Sequence, residues 1–287
     1  MLVSNELGGG RIDGEQAWRE CLKRILADGG EVAPRDQSTL EVLHVNHIRC
    51  DMARAVVTSP ARKLNYRFMA AEALWVLAGD NRLEPLTRYV KRMAQFSDDG
   101  VTLAGAYGPP VVDQLSYVVR TLLADRATRQ AVLTLWRPRP MPSKDIPCTV
   151  AMTFNIRAGE LHQHVFMRSS DAWLGVPYDL FTFACVGLKV ACEVNRLSQS
   201  ALGNRVVPGV LTVTPSSSHL YLRDLESAKQ VLGAGIGPTV SSVDLDAVVE
   251  GRWDAIDAAL VQLRDNPHLE PMGVTPWAGR AIEEVLP

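Results

Sequence analysis

The chain has 287 residues, 47% of them hydrophobic and 22% charged, with 30 basic and 32 acidic side chains and a formal net charge of -2. This is the composition of a soluble globular protein. It excludes a chain whose whole surface attracts polyanions, so any nucleotide has to be held by a local arginine cluster. No apolar stretch reaches ~18 residues without a charge, which excludes a membrane-spanning helix.

The first 14 residues, MLVSNELGGGRIDG, show no basic region followed by an apolar one, and no secretory signal is expected. Five cysteines, Cys21, Cys50, Cys148, Cys185 and Cys192, form no CxxC pair and no even framework. Free thiols in a reducing compartment, the cytosol, are therefore expected.

In chain order, residues 15–27 predict a first helix with Ala17, Cys21, Leu22 and Ile25 on one side. LNYRFMAAEALWVLAGD predicts a second, with Leu64, Phe68, Ala71 and Trp75 in phase and Gly79 as its stop. A third starts at about Val111, with Leu115, Val118 and Leu122 in phase. QAVLTLW predicts a strand, and CTVAMTFNI and LHQHVFMR flank Arg157-Ala158-Gly159-Glu160 as a hairpin. Tyr178 to Val194 predicts a helix apolar almost all round, hence buried. VLTVT predicts a further strand and HLYLRDLESAKQVL a further helix. Helices and strands mix without a regular βαβ rhythm, and no composition shift marks a boundary. The expectation is one α+β domain over 1–287, a mixed sheet packed with helices.

Two motifs are decoys. GAGIG at 233–237 follows a helix and runs into Pro238, so it lacks the strand–loop–helix context of a phosphate loop. His162 and His164 share a strand face, but no third ligand stands at a telling spacing, and surface or interface histidines are expected there.

Chemistry concentrates around Cys148, at a loop–strand junction after RPRPMPSKDI. The hairpin would bring it near Arg168, whose charge would favour thiolate. Glu72 lies beside an apolar helix face, where desolvation would raise its pKa toward that of a proton-shuttling acid. Asp179 heads the buried helix two residues after Pro177, which suits the first helical position. It either complements the helix dipole or reads a ligand.

The string IPCTVAMTFNIRAGELHQHVFMRSSDAWLGVPYDLFTF, with APRDQST, EALWVLAGD, AYG, TRQAVLTLW and SSSHLYLRD in order, closely resembles the thymidylate synthase family over roughly residues 30–225. The resemblance implies that family's single-domain fold and a homodimer through the sheet. It implies a pyrimidine nucleotide whose phosphate is held by Arg35, Arg168 and Ser169, with Arg129 supplied by the other subunit. His219 and Tyr221 would hold the sugar, and Asp171 and Tyr107 would complete the binding site. Cys148 would add to C6, C5 would take the one-carbon unit of 5,10-methylenetetrahydrofolate, and Glu72 would manage protons through water. No metal, membrane or nucleic acid is implied.

Departures from the family pattern narrow the expectation. Asp179 stands where the family has asparagine, whose amide matches uracil O4 and N3–H. An ionised aspartate only accepts, which suits the N4 amino group of cytosine and a protonated N3. Mispairing such a group costs ~1–3 kcal/mol. Asp179 and Thr149 both resemble the phage deoxycytidylate hydroxymethylases. Met93 and Phe96 replace two tryptophans that shelter the intermediate from water, which favours a hydroxymethyl product. Gln130 replaces the second arginine of a phosphate pair, and the tail AIEEVLP has no counterpart.

The leading reading is a 5-hydroxymethyltransferase on dCMP, with CMP open. The alternatives are a dCMP methyltransferase, a thymidylate synthase releasing dihydrofolate, and an inactive relative that binds nucleotide or RNA.

Overall fold

The computed structural model describes residues 11–137, 142–198, 205–241 and 243–266. The chain opens with helix α1 (Gly14–Asp28), whose first turn is capped by the Asp13 carboxylate accepting from Gln16 N at 2.9 Å. Strands β1 (Gly30–Val32), β2 (Thr39–Leu43) and β3 (Ile48–Asp51) follow, and then α2 (Tyr66–Leu77), capped by Asn65. A short α3 (Glu84–Thr87) precedes α4 (Gly108–Ala124) and β4 (Val132–Thr134). The third predicted helix thus begins three residues before Val111, because Pro109 and Pro110 suit a first turn.

The predicted hairpin forms as β5 (Thr149–Arg157) and β6 (Glu160–Asp171). Its two-residue turn, Ala158-Gly159, has φ of 50° and 82°, the left-handed pair that a tight hairpin between twisted strands demands. The buried helix is α5 (Val176–Leu197), with Leu180, Phe181, Phe183 and Leu188 fully enclosed. Strand β7 (Val207–Tyr221) returns parallel to β6, so β6–α5–β7 is a crossover unit. Helices α6 (Leu225–Gly233), α7 (Leu245–Glu250) and α8 (Trp253–Asp265) follow.

Among the described residues seven strands make one mixed sheet in the order β1-β2-β7-β6-β5-β4, with β3 also pairing β7. Strand β7 is long enough for β3 to pair Val210–Val213 and β2 to pair Ser217–Tyr221 along the same edge. Helices cover one face, where Trp18 of α1 donates its indole N–H to the Ala172 carbonyl and tilts against Trp173.

One predicted helix needs correction. HLYLRDLESAKQVL is not helical throughout: His219, Leu220 and Tyr221 end β7, and the helix begins only at Leu225. GAGIG is a loop once α6 ends at Gly233. His162 accepts from Val210 N at 3.1 Å, and His164 meets the Thr214 hydroxyl at 2.8 Å. The segment AIEEVLP lies outside the described residues.

Candidate active site

The β5–β6 hairpin sets the site. Arg168 N donates to the Cys148 carbonyl at 2.8 Å, fixing the thiol beside the end of β6. The Arg168 guanidinium then reaches back to the carbonyls of Pro147 at 3.0 Å and Ile146 at 2.8 Å, bracing the loop that delivers Cys148. A bulge between Thr149 and Ala151 turns the start of β5 at this point.

Beside the thiol lies a cavity of about 180 Å³, lined among others by Glu72 of α2, Tyr107, Cys148 and Asp179 of α5. Its apolar wall is Trp75, Val76, Leu86, Met93 and Leu103. Tyr107 is held by stacking on Phe183, and its hydroxyl accepts from Thr149 N at 3.2 Å.

Pro177 is the second helical residue rather than the first, because α5 starts at Val176. Asp179 N is already bonded to the Gly175 carbonyl at 2.9 Å. The Asp179 carboxylate therefore caps nothing, and among the described residues it has no hydrogen-bond partner. Burial, and then the charge of Asp171, push its carboxyl up to about 7. Burial, and then Asp179, push Glu72 up to about 8. Two carboxyls facing one small cavity do not both ionise readily, so near neutral pH the pair retains a proton.

Arg168 acts on Cys148 in the expected direction, toward thiolate, but it is not the largest influence on the thiol. Arg168 and Arg35 do pull the thiol down, but burial outweighs them and Asp179 and Asp145 add to it, so the thiol sits above its ordinary value. The other four cysteines are buried and free, and Cys148 alone of the five is partly exposed.

The remaining predicted residues divide. Ser169, Asp171, His219 and Tyr221 cluster where β6 and β7 end together. Ser169 Oγ lies 3.4 Å from His219 Nδ1, and the His219 and Tyr221 rings meet edge to face. Burial holds the His219 imidazole below its usual pKa, against the pull of Asp171 and Glu41. Asp171 accepts from the N–H groups of Trp173 and Leu174, locking the turn into α5. Arg35, on a turn over Pro34–Asp36 with φ of 54°, is near enough to act electrostatically on both Cys148 and His219.

Arg129 is not among them. Phe154 N donates to the Ala131 carbonyl, which places Ala131 about six residues, roughly 20 Å, along β5 from Cys148, and Arg129 precedes it in a chain that runs antiparallel to β5 and away from Cys148. Phe96 also departs from expectation: Met93 lines the cavity, but Phe96 is 37% exposed and lies outside it. Gln130 offers its carbonyl to the Tyr117 hydroxyl. Sequence reasoning missed Asp145, a further cavity acid; its only signal was an acid three residues before the cysteine in SKDIPC.

The sequence pattern of the family described as Thymidylate synthase matches residues 16–245. The chain belongs to the thymidylate synthase family. It is also 32% identical over 179 residues to the deoxyuridylate hydroxymethyltransferase of Bacillus phage SP01, a match covering 56% of this chain and 47% of that protein. The chain thus spans about half the length of the curated relative it matches. The family is one of one-carbon transferases acting on a nucleoside monophosphate with methylenetetrahydrofolate as donor. Among the described residues no group of three or more His, Cys, Asp or Glu is placed to hold a metal, and no helix is long and apolar enough to cross a membrane.

Proposed function

We propose that the protein is a 5-hydroxymethyltransferase acting on dCMP, with CMP as the ribose counterpart. It would transfer the one-carbon unit of methylenetetrahydrofolate and add water to give the 5-hydroxymethyl nucleotide and tetrahydrofolate. The observation that carries this reading is Asp179, an unbonded carboxyl facing the cavity it shares with Cys148 and Glu72.

A carboxyl poised near neutral pH suits cytosine in a way that a permanently ionised one does not. Neutral Asp179 donates to N3 and accepts from the N4 amino group. As Cys148 Sγ adds to C6, negative charge develops toward N3, and Asp179 passes its proton there. Asparagine can form both hydrogen bonds but cannot deliver the proton. Arg35 and Arg168 would take the phosphate and His219 and Tyr221 the sugar, with Arg129 entering from the second subunit of a homodimer formed through the sheet. Glu72, beside Asp179, would exchange the C5 proton through water.

The folate would pack on the cavity's apolar wall, with Leu86, Met93 and Leu103 against a flat ring face. When bound, it supplies one carbon at the oxidation level of formaldehyde. Met93 in place of a ring leaves that wall more open to water, in keeping with hydration rather than reduction.

A second reading, dUMP hydroxymethylation, is favoured by the phage relative's name and by the same raised carboxyl, since neutral Asp179 also pairs with uracil O4 and N3–H. Incubating the protein with dCMP, CMP or dUMP and methylenetetrahydrofolate, then weighing the products, tests both. Dihydrofolate absorbance rising in step with product would overturn hydroxymethylation in favour of reductive methylation.

A further inference from the structure

The loop that delivers Cys148 also delivers Asp145, which the chemistry above leaves without a task. Asp145 is fixed by its own N–H donating to Ser143 Oγ at 2.9 Å and by Oδ2 accepting from Gly105 N at 2.7 Å. Gly105 admits it. A Cβ there would stand 2.7 Å from the Asp145 carbonyl oxygen and 3.0 Å from Oδ1, so a larger residue would displace the carboxylate. Oδ1 has no partner among the described residues, and the side chain lines the cavity with Met93, Leu103 and Cys148.

The three cavity acids fall into two groups. Asp179 acts on both Glu72 and Cys148, whereas Asp145 acts on Cys148 alone of these and is itself acted on by Asp98. Glu72 and Asp179 share a proton on the side that reads the base. Asp145 lines the same cavity as Met93, one of the residues proposed above for the folate. Burial raises the Asp145 carboxyl, while the Gly105 N–H stabilises its ionised form.

We propose that Asp145 is the general base that activates the water added to the one-carbon unit. This inference rests on the hydroxymethyltransferase reading above. Once the folate amine has left, the pyrimidine is still bonded through C6 to Cys148 Sγ and carries an exocyclic methylene at C5. Water attacks that carbon, the new C–O bond forms, and Asp145 takes one water proton. The methylene π pair moves into the C4–C5 bond as the C4=N π pair (C4=O in uracil) moves onto the heteroatom. Its return to form C5=C6 breaks the C6–S bond and releases the Cys148 thiolate. The proton on Asp145 passes to bulk water, and no oxidant or reductant is consumed.

The test compares the wild type with Asp145→Asn and Asp145→Glu, each with dCMP and with dUMP. Exchange of the C5 hydrogen with solvent, measured without folate, reports Cys148 addition and does not involve the proposed base. With folate present, product mass and intact-protein mass report hydration. Asp145→Asn is expected to lower hydroxymethyl formation at least 100-fold while exchange falls no more than threefold. A covalent adduct of nucleotide plus one carbon should accumulate on Cys148, and Asp145→Glu should recover part of the rate. Hydroxymethyl formation at the wild-type rate in Asp145→Asn, or equal losses of exchange and product, would overturn the inference alone. A wild type that makes no hydroxymethyl nucleotide would overturn the functional reading, and this step with it.

Discussion

Arg168 holds Cys148 twice: its backbone N–H donates to the Cys148 carbonyl at 2.8 Å, and its guanidinium bonds the two carbonyls just before it. One residue therefore fixes the loop and supplies the largest opposing charge to a thiol that burial raises. Arg168→Ala should slow iodoacetamide labelling of Cys148 at pH 7.5, since removing that charge raises the thiol further and leaves less thiolate. Arg168→Lys should fall between, keeping charge but losing the fork. Labelling followed by peptide mass, with Cys148→Ser as the blank, checks this; an unchanged rate would leave Arg168 a purely structural brace.

Asp179→Asn should lower kcat/KM for dCMP at least 100-fold and raise it for dUMP. The amide cannot protonate N3 of cytosine, while its N–H suits uracil O4. In the wild type, dCMP turnover should decline as pH rises through about 7, where Asp179 loses its proton. Product analysis at fixed nucleotide across pH 5.5–9 would show both, and an unchanged preference in the variant would remove Asp179 as the reader of the base.

Glu72 bears on stability with a definite sign. Its carboxyl is raised from 4.5 to about 8 in the folded protein. Between those values the folded state holds more protons than the unfolded one, so stability falls as pH rises across that window. Below about pH 4.5 both states are protonated and Glu72 imposes no penalty. Glu72→Gln should therefore raise Tm at pH 8.5 and leave it nearly unchanged at pH 4, while abolishing C5 hydrogen exchange. Calorimetry at the two pH values separates these effects; an equal Tm change at both would contradict the raised carboxyl.

Arg129 precedes Ala131, which pairs with Phe154 at the end of β5 away from Cys148 of its own chain. If the sheet face pairs two copies, Arg129→Ala and Cys148→Ala chains are each inactive alone. Mixed after dissociation, they should regain about a quarter of wild-type activity, because half the random dimers are mixed and each holds one intact site. No recovery in a sample shown to contain mixed dimers would count against a shared site.

Local signals were legible where the backbone's needs are local. Ala158-Gly159 announced a two-residue turn, and the apolar surround of α5 announced burial, because turn geometry and periodicity operate over a few residues. His219 to Tyr221 misled because their run into LRDLESAKQVL has helical spacing, yet β2 and β6 flank them with ladder partners from far away in sequence. Phe96 misled for a related reason: counting positions assigns it a place in the cavity, but the turn over Lys91–Phe96 carries its ring outward.

The sequence by itself determined the chemical inventory: a cysteine after a proline, an acid where an amide is usual, a set of arginines, and the order that marks the family. Those are covalent facts and need no packing. Only the tertiary structure decided the protonation of that inventory and its grouping. Burial turns Asp179 from a plain acceptor into a carboxyl near neutrality, raises Cys148 despite Arg168, and seats Asp145 against Gly105 in the same cavity. Each is a long-range effect, because desolvation and charge coupling depend on which groups the fold encloses together, and no residue states that locally.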